Sequence, residues 1–309
     1  MPLRTASAVT FSYALGYPIG NLAVAAMTPM AVLVLRFGLA AAILAAWTRL
    51  SNARWPRGRQ LGHVVVAGLL MQAVQFCCLY EAVDRGAPAV LCAVLIAMNP
   101  VATAILGAFF LGERLNRRRI GALTLGVVAV LTACASRLIA TRGLDPVIVL
   151  LVIALLGLSA GGIYQQRYCA DVDLRATGAL QNVVAFIPAA VLAGLTPFAV
   201  HDPVKAGAAI AGVVLLNATL SLTLYVRAIG AHGAAAVAML FAVIPAVAGL
   251  LSWLMLGQRP DVGIAVGLAF GAIACWLDGR SGQQREDDPG RDRRRQHGVD
   301  PVHQATVTG

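Results

Sequence analysis

The sequence predicts an all-α membrane protein of ten transmembrane helices in two inverted five-helix repeats. Three observations predict it. Hydrophobic residues make up 59% of the 309 residues and charged residues 12%, about half the charge of an ordinary soluble domain. Apolar runs of the roughly 20 residues needed to span a bilayer recur from the N-terminus to Trp276. One half of the chain also echoes the other. Pro100 and Pro245, Gly112 and Gly257, Arg114 and Arg259, Tyr80 and Tyr225, and Gly126 and Gly271 all keep a gapless offset of 145 residues (245 − 100). Five spans per repeat is an odd number, so the second copy enters the membrane with the opposite orientation. Inverted repeats of this kind mark many secondary transporters.

The spans run roughly over 7–26, 29–50, 62–82, 87–111, 118–136, 146–166, 176–196, 206–228, 232–256 and 261–278. Basic loops separate some of them, such as "SNARWPRGRQ" (51–60) and "GERLNRRR" (112–119), and turn-rich loops separate others, such as "TRGLDP" (141–146) and "TPFAVHDP" (196–203). The first apolar segment contains Pro18 and Asn21 and lacks a convincing cleavage site, so it reads as a spanning helix rather than a removed signal peptide. From Ser281 the chain turns polar, with "RDRRRQHGVD", and it cannot bury enough apolar surface to fold. The expected organisation is residues 1–140 as the first repeat, 141–279 as the second, and 280–309 as a disordered cytoplasmic tail.

The net charge is +10, but the arginines sit in short loops and the tail, not on one soluble face. Nucleic acid is therefore excluded as a partner. With the N-terminus in the cytoplasm, that side holds Arg49, Arg54, Arg57, Arg59, Arg114, Arg117 to Arg119, Arg167 and their neighbours. The other side holds only Arg85, Arg137, Arg142, Lys205 and Arg259. Basic residues gather in cytoplasmic loops, so both termini are expected in the cytoplasm and the protein in the plasma (inner) membrane. An even number of spans agrees. The six cysteines show no CxxC spacing and read as small core hydrophobes rather than disulfides or metal ligands.

Polar side chains inside a bilayer are expensive and face the bundle or a wet cavity. Gln72, Phe76 and Tyr80 follow i, i+4, i+8 spacing in span three, and their repeat partners Asn217, Ser221 and Tyr225 do so in span eight. Two stripes at matching positions suit a cavity lining; interhelical hydrogen bonding is the alternative. In span one, Tyr13, Tyr17 and Asn21 share a face beside Gly16 and Gly20. These tyrosines suit contact with an amphipathic ligand or an interfacial aromatic belt. Pro100 and Pro245, at equivalent places in spans four and nine, read as kinks at a gate or cavity, or as packing kinks. Asn99 and Thr103, one turn apart, suit contact with substrate or with the backbone group that Pro100 frees.

Arg36 is the one strong charge well inside a span. It reads as an anchor for a substrate carboxylate, or as a structural anchor bonded to backbone carbonyls or reaching toward the outer surface. Acids are nearly absent from the membrane. Glu81, at the outer end of span three, is the sole candidate for proton coupling. Without a deep carboxylate, a neutral, zwitterionic or anionic metabolite fits better than an organic cation.

"LRF" (35–37), "MNPVATAILGAFFLGERL" (98–115) and "RRRIGALTLGVVAVL" (117–131), with their echo "VIPAVAGLLSWLMLGQRPDVGIAVGLAFGAIACWL" (243–277), resemble the EamA family of the drug/metabolite transporter superfamily. The resemblance covers residues 7–278. It implies ten helices in two EamA units, the first four of each around a cavity and the fifth outside. It also implies export or exchange of small metabolites such as amino acids. "LGYPIGNLAV" (15–24) keeps Gly16 but lacks the family's frequent Trp-Gly and later basic residue, and Gln258 replaces a glutamate in the second copy.

Two other functions compete. A scaffold acting through its basic tail would touch anionic lipid, against the opposing Glu286, Asp287, Asp288 and Asp292. A membrane-embedded enzyme would need a catalytic constellation. The sequence shows no HExxH, phosphate loop or intramembrane aspartate pair, and its five histidines lie at helix ends, in loops or in the tail. The expected partners are a small-molecule substrate and membrane lipid, with a homodimer open; no cofactor, metal or catalytic residue is expected.

Overall fold

The computed structural model describes residues 2–87, 92, 95–110, 121 and 145–257. Spans five and ten, the loop holding Gly112, Glu113, Arg114 and Arg117, the repeat residues Gly126, Arg259 and Gly271, the boundary at 140 and the tail lie outside the described residues. The chain is helical. Its helices are α1 (Leu3–Ala26), α2 (Pro29–Leu50), α3 (Arg59–Asp84), α4 (Asn99–Phe110), α5 (Pro146–Tyr168), α6 (Leu174–Leu195), α7 (Pro203–His232), α8 (Ala234–Ala238) and α9 (Ile244–Leu256). Among the described residues the β-structure is one isolated bridge, Met27 to Val200.

Five of these helices, α2, α3, α5, α6 and α7, are long and apolar enough to cross a membrane. Helix α1 has the length, 24 residues, but Ser12, Tyr13, Tyr17 and Asn21 lower its hydropathy. Helix starts are written into the sequence. Asp145, Asp173 and Asp202 each cap a helix by accepting a backbone N–H from its first turn, at 2.9 Å for Val147, 2.9 Å for Arg175 and 3.1 Å for Lys205. Such caps satisfy donors with no intrahelical partner and place negative charge at the positive end of the dipole. Pro29, Pro146 and Pro203 occupy first-turn positions, where a missing N–H costs nothing.

The 145-residue offset reappears in three dimensions. Shifted by that amount, Pro29–Leu50 falls on Leu174–Leu195, and Asn99–Phe110 falls within Ile244–Leu256. Helices α3 and α7 each contain a stretch of π-helix, Leu69–Val74 and Val213–Ser221, and the shifted first stretch lies inside the second. The prolines differ from expectation. Pro100 and Pro245 do not bend a continuous helix. Each is the second residue of a helix that begins after a break. Met98 N–H donates to Leu95 O at 3.1 Å and Val243 N–H to Leu240 O at 2.9 Å, the same tight turn at the same repeat position. Proline is tolerated there because the first turn has no intrahelical bond to lose.

Helices α2 and α6 pack along their lengths and run antiparallel. At the start of α2, Thr28 N–H donates to Ala199 O at 3.0 Å, and His201 N–H donates to Ala26 O at 2.8 Å. Large residues of α2, Met30, Leu33 and Phe37, sit on the small residues Ala185, Ala189 and Ala193 of α6. Lipid is as apolar as leucine, so such close contact, rather than water exclusion, holds membrane helices together. The remaining helices cross over. Helix α1 packs on α7 and α9, while α5 packs on α3 and α4. Gly157 and Gly161 make the α5–α3 crossing close. A Cβ on Gly157 would lie 2.8 Å from Leu70 O, and one on Gly161 would lie 2.8 Å from Met71 N. Phe109, Ile187, Val191, Leu195 and Leu254 face outward, each more than half exposed, as lipid-facing residues do.

Candidate functional site

A cavity of about 160 Å³ lies between α1, α2, α3 and α7. Helix α1 supplies Tyr13, Tyr17 and Asn21, and its Gly16 and Gly20 keep that face shallow. A Cβ on Gly16 would collide with the Asn217 amide, and one on Gly20 would lie 3.9 Å from the Tyr80 hydroxyl. Helix α2 supplies Arg36, α3 supplies Gln75, Phe76 and Tyr80, and α7 supplies Val213 and Asn217. Phe241, in the 3-10 segment Met239–Ala242 before α9, closes one side. The wall thus draws on both halves of the chain. Val24 and Val83 place the cavity toward the end that carries the α1–α2 turn.

Arg36 is 4% exposed. Its guanidinium lies over the Phe76 ring, 3.6 Å from the centroid, beside the Tyr80 side chain. Its Nε has no hydrogen-bond partner. Phe76 is fixed by edge contact with Phe37 at 6.1 Å and a tilted contact with Tyr80 at 6.4 Å between centroids. Among the described residues the cavity wall holds no carboxylate. Glu81 turns away and pairs with Arg85 at 2.7 Å. No group of three or more metal-ligating side chains forms among the described residues.

Not all of the sequence-derived residues meet on this wall. Tyr13, Tyr17, Asn21, Arg36, Phe76, Tyr80 and Asn217 do. Gln72 does not: it lies one turn before Phe76, within the π-helical stretch, and the residues of α3 that line the cavity begin at Gln75. Gln72 is buried and its Oε1 lacks a partner. Ser221 donates to Leu216 O at 2.7 Å, five residues back, and is spent within its helix. Tyr225 stands behind the wall, with its ring 5.4 Å from Tyr13 and 5.7 Å from Phe241.

Behind Tyr225 lies a buried polar layer. The Tyr225 hydroxyl approaches the Asn99 side chain, whose Nδ2 has no hydrogen-bond partner. Asn99 Oδ1 accepts from Ser159 at 2.7 Å and from Thr103 at 3.2 Å. Further on, Gln181 donates to Gln165 at 2.8 Å, and both are buried. Gln181 is the repeat partner of Arg36 at the 145-residue offset, a signal present in the sequence but left unused there. At the opposite end His63 Nδ1 lies 2.8 Å from the Tyr164 hydroxyl, and its ring stacks on Tyr168 at 4.7 Å. Outside the spans, the Lys205 backbone amide, then its ammonium, hold the Asp202 carboxyl below the usual carboxylate range, and burial pushes the Cys169 thiol up to about 11.

Residues 4–134 and 145–278 each match the model of the EamA-like transporter family. No curated protein matches the sequence. A solved crystal structure described only as that of a protein shares the fold, with a TM-score of 0.68 at 14% identity over 92% of this chain and 99% of that one.

Proposed function

The chain belongs to the EamA-like transporter family, and on that premise we propose that it is a secondary transporter, an exporter or exchanger, of small amphipathic metabolites such as amino acids. The observation that carries this reading is the cavity whose wall draws polar and aromatic side chains from both halves of a multi-pass membrane protein. Transporters built from repeats bind substrate where the repeats meet.

In this reading ten helices form two inverted five-helix units, 1–140 and 141–279, followed by the tail 280–309. The antiparallel α2 and α6, which coincide under the repeat offset, support the inversion. Substrate contacts fall to Tyr13, Tyr17, Asn21, Arg36, Phe76, Tyr80 and Asn217, with Gln75 added. Asn99, Thr103, Gln72, Ser221 and Tyr225 support the wall or line the cavity when the halves reorient. The breaks before Pro100 and Pro245 serve as hinges. With both termini cytoplasmic in the inner membrane, the cavity faces outward, and the His63–Tyr164–Tyr168 stack seals the cytoplasmic end.

A screen of labelled metabolites for counterflow in proteoliposomes tests this. Full-length protein is expected to exchange at least one small amphipathic solute, and Asn217→Leu is expected to stop that exchange while remaining folded by gel filtration. A folded wild-type protein that moves no member of a broad metabolite set would overturn the reading.

A further inference from the structure

We propose that the cavity is built for a small monocarboxylate with a compact apolar or aromatic body, and that Arg36 grips its carboxylate; this deepens the transport reading and rests on it for the site's role. The first ground is charge. A buried guanidinium needs a counter-charge, a set of acceptors or water. Arg36 has no acidic partner and bonds no backbone carbonyl among the described residues. Its contacts are the Phe76 and Phe37 rings and the Tyr80 hydroxyl. Its Nε is buried without a partner, no hydrogen bond among the described residues engages its terminal nitrogens, and the residue lines the cavity. A structural anchor would have spent these donors. A planar fork with free donors matches a carboxylate through two parallel hydrogen bonds.

The second ground is what else faces the space. No carboxylate opposes Arg36 on the described wall, so a fixed cationic substrate would find no counter-charge there and would be repelled by Arg36. Tyr13, Tyr17 and Phe241 give an aromatic lining for the body of the ligand, and Asn21 and Asn217 give neutral amides for one further polar substituent. The third ground is size. A cavity of about 150 Å³ holds a benzene molecule, and this one is about 160 Å³. A nucleotide or long-chain acid is larger than this space, and a dicarboxylate would bring a second charge that no other cation on the described wall meets.

The test uses full-length protein in lipid nanodiscs and titration calorimetry. The probes are acetate, benzoate and 3-phenylpropionate, each beside its amide, with benzylamine as the cation. At least one carboxylate is expected to bind about tenfold or more tightly than its amide, a difference of about 1.4 kcal/mol, and benzylamine is expected not to bind. Arg36→Gln is expected to level carboxylate and amide while leaving amide binding in place. Arg36→Lys, which keeps the charge but loses the fork, is expected to recover only part of the preference. The wild-type ratio needs no substitution, so it stands even if Arg36→Gln fails to fold. Equal binding of carboxylate and amide, binding of no carboxylate in the set, or a preference that survives in folded Arg36→Gln overturns the proposal. Counterflow is read separately. Carboxylate binding without exchange would sink the transport reading and leave the site. Exchange of neutral or cationic solutes with no carboxylate preference would do the reverse.

Discussion

Replacing Gly161 with alanine probes a close backbone contact between α5 and α3. The new Cβ would lie 2.8 Å from both the backbone N and the Cβ of Met71, and 3.0 Å from its Cα. Ordinary contact begins at 3.4 Å, so α5 and the π-helical part of α3 must part by several tenths of an ångström. Backbone on both sides leaves no flexible group to swing away. Overpacking of this kind costs about 1–3 kcal/mol. Restricting the unfolded chain returns about 0.4–1 kcal/mol. The net loss is about 1–2 kcal/mol, a factor of roughly 5–30 in the folded to unfolded ratio. Gly207→Ala is the control, because a Cβ there meets nothing within 4 Å and only the entropic gain applies. Both variants are to be purified in one detergent and followed by fluorescence-detected gel filtration across a heating or denaturant series. Gly161→Ala is expected well below wild type and Gly207→Ala at or slightly above it. If Gly161→Ala proves as stable as Gly207→Ala, the close approach is not the tight joint described.

Three further outcomes follow from other parts of the molecule. In a background without native cysteines, Tyr17→Cys is expected to react with an impermeant thiol reagent added outside intact cells, and Gln165→Cys is expected to stay protected; labelling of Gln165→Cys from outside would reverse the topology. Asp202 holds a lowered carboxyl pKa through Lys205, so its stabilisation is complete above the ordinary aspartate value of about 3.9 and is lost as pH falls through the lowered value. Asparagine caps helices equally well, so Asp202→Asn is expected to remove only the charge and flatten the acid side of a melting temperature against pH curve, and an unchanged acid side would count against it. Deleting residues from Gln283 onward is expected to leave a folded, exchanging protein, because that stretch is polar and lies beyond the repeat; loss of the folded peak would refute it.

Span positions were legible because a bilayer demands unbroken apolar length. The expected 29–50 coincides with α2, and 146–166 and 176–196 differ from α5 and α6 by two residues or fewer at each end. The repeat was legible through residues that composition does not supply by chance, Tyr80 with Tyr225 and Pro100 with Pro245. The winding of α3 was not. Spacing of i, i+4, i+8 presumes 3.6 residues per turn, and a π-helical stretch breaks that register without any residue announcing it. Gln75, which lines the cavity, was overlooked, and Gln72 stands one turn short of it. The breaks before α4 and α9 were hidden for a related reason. A proline in an apolar run reads alike as a kink within a helix or as the first turn of a new one.

Arg36 and Gln181 hold equivalent places in the two halves, yet only one carries a charge. A carrier whose halves trade roles therefore shows its cargo a cationic face on one side of the membrane and an amide on the other. Detailed balance limits what that inequality can accomplish. A ligand shifts a two-state equilibrium only by its differential affinity for the states, and around a closed cycle those differences cancel. Unequal faces can set how readily cargo loads from each side, and hence the half-saturation concentrations measured in the two directions. They cannot set the final ratio of concentrations across the membrane. Net accumulation would have to be driven by a second solute whose own gradient runs downhill through the same cycle.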